Sequence, residues 1–130
     1  MNNILAKDVM LRRVYTIHSE EKVALDRLRM LRKGAGALPV VDDNNTLVGI
    51  ITLRDTDFVD AYGLSVGEMM TTHVITSLES NTMSEIVNIM LKESVERLPI
   101  IDKEGKLVGL ITQSVILKVP KKLLDAYVHT

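Results

Sequence analysis

From Met83 onward the chain places apolar side chains at Met83, Ile86, Val87, Met90 and Leu91. Those offsets describe one face of a helix with about 3.6 residues per turn. Asn81 stands ahead of that face as a candidate cap, and Glu85 falls in the first turn. Leu98-Pro99-Ile100-Ile101 then reads as a short buried strand, Asp102-Lys103-Glu104-Gly105 as a hairpin turn, and Leu107 to Thr112 as the return strand. Upstream, Val74-Ile75-Thr76 is a β-prone run and the candidate first strand of the unit. Pro99 donates no backbone N–H, so it is expected to begin its strand.

The same pattern is present 60 residues earlier, without a gap. Met10 aligns with Met70, Thr16 with Thr76, Met30-Leu31 with Met90-Leu91, and Leu38-Pro39 with Leu98-Pro99. Leu47-Val48-Gly49 aligns with Leu107-Val108-Gly109, and Ile51-Thr52 with Ile111-Thr112. An ordered internal repeat of this length governs the fold. The units are assigned to residues 6–62 and 65–118, with 119–130 as a C-terminal tail. One unit is too small to close a core alone, so the two are expected to pack together.

Repeat 1 departs from the pattern in its helix. Asp26 and Arg27 occupy the positions of Ile86 and Val87. Ala24, Leu25, Leu28 and Leu31 are therefore expected to carry the apolar face, on a helix rotated or more exposed than its counterpart. The repeat 1 turn, Asp42-Asp43-Asn44-Asn45, uses Asn where repeat 2 uses Gly; Asn tolerates the left-handed region.

Composition narrows the function classes. The chain has 130 residues, 46% of them apolar, and a formal net charge of −1. That charge gives no general attraction to nucleic acid. One Phe, three Tyr and no Trp make a poor stacking surface for single strands. The absence of Cys excludes disulfides, Cys-ligated zinc and Cys nucleophiles. No signal-peptide pattern or membrane-length apolar run is present, and a cytoplasmic location is expected. His18, His73 and His129 stand apart in the sequence, so no metal site is expected. No phosphate loop, nucleophile elbow or catalytic constellation is found, and the chain is read as a non-enzyme.

Leu-Pro-(Val/Ile)-(Val/Ile)-Asp followed by Leu-Val-Gly-x-Ile-Thr, twice at fixed distance, resembles a tandem pair of CBS domains, the cystathionine β-synthase domain family. The resemblance covers about Ala6 to Lys118. It implies an α/β (α+β) fold of two β-α-β-β-α repeats packed as a pseudo-twofold pair, a Bateman module. It further implies a regulatory module that binds AMP, ADP, ATP or S-adenosylmethionine in clefts between the repeats and relays occupancy to an effector protein. No cofactor is otherwise required.

In the family a Gly-x-x-(Thr/Ser)-x-x-Asp stretch grips the ligand ribose. Gly49-Ile50-Ile51-Thr52-Leu53-Arg54-Asp55 matches in full, whereas Gly109 to Val115 matches only to Thr112. The resemblance therefore implies one competent cleft, with Thr52 and Asp55 joined by Val74, Ile75, Thr76 and Arg97. A second, weaker cleft would use Thr16, Gly36, Ala37 and Thr112, and a carboxylate at position 115 would be expected to strengthen it. On the residues alone, Thr52 and Asp55 also fit a helix cap, and Val115 an ordinary apolar helix position. A ligand-free dimerisation scaffold is the competing reading. Phe58, Val59, Ala61, Tyr62, Leu123, Leu124 and Tyr127 are apolar residues in excess of the repeat pattern, and a homodimer is expected.

Overall fold

The two Leu-Pro phrases each lie in the first strand of a β-hairpin. In the structure, a computed structural model that describes residues 4–119, the elements follow in chain order. They are α1 (Ala6–Val9), α2 (Val23–Lys33), β1 (Ala37–Val41), β2 (Leu47–Thr52), α3 (Val66–Met69), β3 (Ser77–Leu78), α4 (Met83–Glu93), β4 (Arg97–Ile101), β5 (Leu107–Thr112) and α5 (Gln113–Leu117). Short 3-10 turns occupy Arg54–Thr56 and Val59–Ala61. The expected tail residues Leu123, Leu124 and Tyr127, and His129, lie outside the described residues, as does the side chain of Val59.

The fold is mixed α+β, and the hairpins are near-copies. Leu38 faces Ile51 in β1–β2, as Leu98 faces Ile111 in β4–β5. Both carry a register shift at the end of the first strand, between Val40 and Val41 and between Ile100 and Ile101. The turns match as well. Asp42 Oδ1 accepts the N–H groups of Asn44 and Thr46 at 2.9 Å, and Asp102 Oδ1 those of Glu104 and Lys106. Asn45 and Gly105 supply the positive φ, 65° and 85°.

Both prolines sit in the middle of their strands rather than at the start. Pro39 faces Ile50, whose N–H and C=O turn away from β1 to bond Thr71. The missing proline N–H therefore points to the other side, toward residue 17. There Ile17 donates to the Pro39 carbonyl and accepts from Val41. The next rung back would need the proline N–H, so the parallel ladder stops. This accounts for a second correction. The first strand of repeat 2 is Ser77–Leu78, parallel to Ile100–Ile101, and Val74-Ile75-Thr76 precedes it without strand pairing. In repeat 1 the counterpart is a single bridge between Ile17 and Val40.

Asn81 is not the cap of α4. Thr82 is, in a capping box with Glu85: the Thr82 hydroxyl accepts the Glu85 N–H, and the Glu85 carboxylate accepts the Thr82 N–H. Asn81 Oδ1 instead accepts from the Leu78 N–H and the Ser77 hydroxyl at 2.7 Å.

The packing units are not the sequence repeats. Among the described residues, one unit comprises 15–74, and the other comprises 4–14 with 75–119. The lead segment of each repeat is thus packed on the hairpin of the other. Leu11 exchanges two backbone hydrogen bonds with Leu110 in β5, and Thr71 two with Ile50 in β2. The approach is close enough to demand glycine. A Cβ on Gly49 would stand 2.9 Å from the Thr71 carbonyl oxygen and from Met70 Cγ. One on Gly109 would stand 2.7 Å from Met10 Cγ and 3.1 Å from the Leu11 carbonyl oxygen.

Each unit has its own core. Ile17, Val23, Met30, Leu38, Val40, Ile51, Ala61 and Val66 form one. Ala6, Met10, Met83, Ile86, Met90, Leu98, Ile100, Ile111, Val115 and Val119 form the other.

The repeat 1 helix is not rotated. It buries Val23, Asp26 and Met30, the counterparts of Met83, Ile86 and Met90, while Leu25, Leu28 and Leu31 are 43%, 51% and 54% exposed. Val23 and Met30 fix the inward face, and Asp26 lies between them. Its carboxylate is fully buried, and neither oxygen has a hydrogen-bond partner among the described residues. Burial raises its pKa to about 6, with Arg29 opposing the shift and Glu21 adding to it.

The folded state therefore keeps the Asp26 proton up to about pH 6, whereas the unfolded chain releases it near 3.8. Folding stability should fall as pH rises through that window and stay low above it. At about 1.4 kcal/mol per pKa unit, the lost stability is about 3 kcal/mol. Asp26→Leu should recover much of it above pH 7 and flatten the pH dependence. Urea unfolding at pH 5 and pH 8 checks both; a variant no more stable than the wild type at pH 8 would remove Asp26 as a source of instability.

Candidate functional site

Strand β2 ends at Thr52, and the chain turns at once into the 3-10 segment Arg54–Thr56. The Thr52 N–H donates to Asp55 Oδ2 at 2.9 Å, and the Asp55 N–H donates to the Thr52 hydroxyl at 3.2 Å. The two residues thus form a reciprocal box at the strand end. An ionised carboxylate has about four acceptor positions, and the Thr52 amide takes one. The turn is anchored further. The Leu53 N–H donates to the Gly36 carbonyl at 2.8 Å, and the fully buried Thr56 donates its hydroxyl to the Leu53 carbonyl at 2.6 Å. Arg27 Nη1 of α2 reaches across to Thr56 Oγ1 at 3.0 Å and Asp57 Oδ1 at 2.7 Å. The bond to Asp57 raises the Arg27 pKa.

Repeat 2 builds half of this arrangement. Thr112 caps α5 by accepting the Val115 N–H at 3.2 Å, and no carboxylate answers its own amide from position 115. Val115 is 4% exposed and belongs to the core with Ala6, Met10 and Ile111. A carboxylate there would be a buried charge, so the expectation that it would improve a second ligand site meets a packing obstacle.

In the unit formed by residues 15–74, Ala37 pairs with Thr52 in the hairpin, Gly36 bonds the turn through Leu53, and Thr16 and Val74 are half-buried. Ile75, Thr76 and Arg97 belong to the other unit. There Ile75 and Thr76 are half-buried ahead of β3, and Arg97 opens β4 opposite Thr112. Its guanidinium is 4.0 Å from the Glu96 carboxylate.

One grouping was not visible in the sequence. His18, Glu20 and Asp43 bring ligand atoms within 4.8 Å of one another, because the hairpin turn carries Asp43 back to His18. His18 Nδ1 is 3.8 Å from Asp43 Oδ1. Glu20 and Asp43 are exposed, the ordinary setting of surface carboxylates. In the other unit an apolar groove of about 480 Å³ runs along α4 and α5, lined by Val87, Met90, Leu91, Val95 and Ile116 together with Ser94, Glu96 and Gln113. Leu91 and Leu117 are 67% and 80% exposed.

The repeated hairpin with a Thr-led turn after its second strand defines the class, and the comparisons agree. The family model for the CBS domain matches residues 6–56 and 66–122, and the chain belongs to the CBS-domain family as a tandem pair. CBSX2 of Arabidopsis thaliana, solved in complex with AMP, is similar to it with a TM-score of 0.85 at 26% identity, over 93% of this chain and 98% of that one. The CBS domain pair of protein MJ0100, in complex with 5-methylthioadenosine and S-adenosyl-L-methionine, gives 0.77 at 28% identity, over 94% and 96%. Inosine-5'-monophosphate dehydrogenase of Thermoplasma acidophilum is 41% identical over 109 residues, which are 84% of this chain and 22% of that enzyme. The chain thus spans less than a quarter of the length of the dehydrogenases it matches. No helix among the described residues is long and apolar enough to cross a membrane.

Val115→Asp should destabilise its unit by about 2–4 kcal/mol near neutral pH, the consequence of burying a poorly paired charge. Denaturant unfolding measures this. Undiminished stability would mean that position 115 opens to solvent and can face a ligand.

Proposed function

We propose that this CBS pair is a ligand-sensing regulatory module and that its principal site grips the ribose of an adenosine-containing ligand through Thr52 and Asp55. The observation that carries the reading is the Thr52–Asp55 box at the end of β2. It holds a carboxylate at a strand end with acceptor capacity to spare. A ribose cis-diol offers two donors, and a carboxylate receives them through charge-assisted bonds. The solved complexes of CBSX2 with AMP and of the MJ0100 pair with 5-methylthioadenosine and S-adenosyl-L-methionine support the ligand class. Repeat 2 lacks the carboxylate and supplies at most a weaker site. Binding acts by population shift, favouring one arrangement that a partner protein reads in the cytoplasm. The chain itself catalyses no reaction.

A scaffold without ligand is the second reading. It is favoured by the same box, which already satisfies the Thr52 and Asp55 amides as a cap. Asp55→Ala separates the two. Losing bonds from a charged acceptor is worth about 1.5–3 kcal/mol, so affinity for AMP, ATP or S-adenosylmethionine should fall about tenfold to a hundredfold in calorimetry. Unchanged affinity would leave Asp55 as a cap only.

We also infer a homodimer. Leu28 and Leu31 on α2, and Leu91, Leu117 and the α4–α5 groove, leave apolar faces uncovered in each unit. Native mass spectrometry should give a species of twice 14.5 kDa and reveal any carried ligand. A monomer at micromolar concentration would refute the dimer.

A further inference from the structure

We propose that Arg27 is a positioning residue for the Thr52–Asp55 turn and couples ligand occupancy to helix α2. The inference rests on the reading of that turn as the ribose grip, and it adds a route by which occupancy leaves the site.

Where the long helix faces the segment after the hairpin, the two repeats carry different residue types. In repeat 2, Val87 of α4 and Ile116 of α5 line the same apolar groove. Counting back 60 residues, the corresponding residues of repeat 1 are Arg27 and Thr56, with Asp57 in place of Leu117. The changes at 27 and 56 replace two groove-lining apolar residues by polar ones, that at 57 replaces an exposed leucine, and all three fall in the repeat that has the complete Thr-x-x-Asp stretch. Each partner is engaged. Arg27 Nη1 donates to Thr56 Oγ1 at 3.0 Å and Asp57 Oδ1 at 2.7 Å. Thr56 is fully buried and donates in turn to the Leu53 carbonyl, between the two residues of the box.

A continuous path therefore runs from α2 through Arg27, Thr56 and Leu53 to Thr52 and Asp55, all inside the unit of residues 15–74. Apolar contacts allow neighbours to slide. A planar guanidinium bonding two acceptors fixes both distance and angle. Ion pairs this exposed add little to global stability, so orientation is the function this one can serve. The repeat 1 turn is also short, three residues of 3-10 geometry where repeat 2 forms the five-residue helix α5. A short turn has few bonds of its own, and the Arg27 pin supplies what the helix supplies in repeat 2. The same helix presents Leu28 and Leu31 to the outside. A ligand that fixes the turn thus also biases the helix bearing that face, and coupling of this kind is reciprocal.

The test uses the full chain with Arg27→Ala, Arg27→Lys and Asp57→Ala. Amide hydrogen exchange without ligand reads the turn directly, because the Thr56 and Asp57 N–H groups bond the Leu53 and Arg54 carbonyls at 3.0 and 3.1 Å. Arg27→Ala should speed exchange at both amides while global unfolding stays near the wild type. It should also weaken AMP or S-adenosylmethionine binding about twofold to tenfold, the ordering of one side-chain segment. Arg27→Lys should restore part of both effects, and Asp57→Ala should move both in the direction of Arg27→Ala. Wild-type exchange at Thr56 and Asp57 in Arg27→Ala would overturn the proposal. So would wild-type affinity in Arg27→Ala if Asp55→Ala weakens binding. If Asp55→Ala has no effect on binding, the ribose reading falls and the coupling to ligand falls with it; the exchange measurement still decides whether Arg27 holds the turn.

Discussion

The packing of each lead segment against the other repeat's hairpin is the constraint on which the structure depends. Met10 and Leu11 lie on β5 at Gly109, and Met70 and Thr71 lie on β2 at Gly49, with backbone hydrogen bonds at both places. A side chain at either glycine would collide with the segment that covers it. The repeat is therefore present twice for a physical reason. A hairpin with one helix leaves an edge and an apolar face open, and the segment that covers them comes from the other repeat. Residues 6–9 and 66–69 form helices of a single turn, which have little stability of their own and are held by this docking.

Within that shared frame the two units diverge in chemistry. The inward face of the long helix keeps its register, so an aspartate at the position of Ile86 is forced inward as Asp26. A buried carboxylate with no hydrogen-bond partner among the described residues costs stability once it is ionised. Next to it, Arg27 faces outward enough to reach Thr56 and Asp57. Repeat 1 thus has directed bonds beside the turn that carries Asp55 where repeat 2 has groove-lining apolar side chains. Repeat 2 keeps apolar residues at those positions and places Val115 in its core. The asymmetry seen at Asp55 and Val115 is one part of a broader difference between the units.

Cap and ligand grip need not be alternatives at Asp55. A carboxylate held by the Thr52 amide has its orientation set before any ligand arrives, and a preorganised acceptor loses less conformational freedom on binding. The bonds that make the residue look purely structural are those that would make it effective toward a diol.

Much of this was written in local pattern. The 60-residue repeat, the paired hairpins with Asp42 and Asp102 as turn residues, and the complete and incomplete Thr-x-x-Asp stretches all follow from residue types at short spacing. Side-chain alternation, turn chemistry and capping act over a few residues, so sequence reveals them. The rest depended on contacts distant in the chain. The inward position of Asp26 was set by Val23 and Met30 against the hairpin, overriding the pull of Leu25, Leu28 and Leu31. The prolines stand mid-strand because their missing N–H faces the side where the ladder ends, and that same gap leaves Val74-Ile75-Thr76 unpaired. The His18–Glu20–Asp43 grouping, the Arg27 pin and the exchange of lead segments join residues tens of positions apart. Hydrophobic periodicity assigns a face to an element but not the neighbour that covers it. That choice is made by packing, and only the tertiary structure records it.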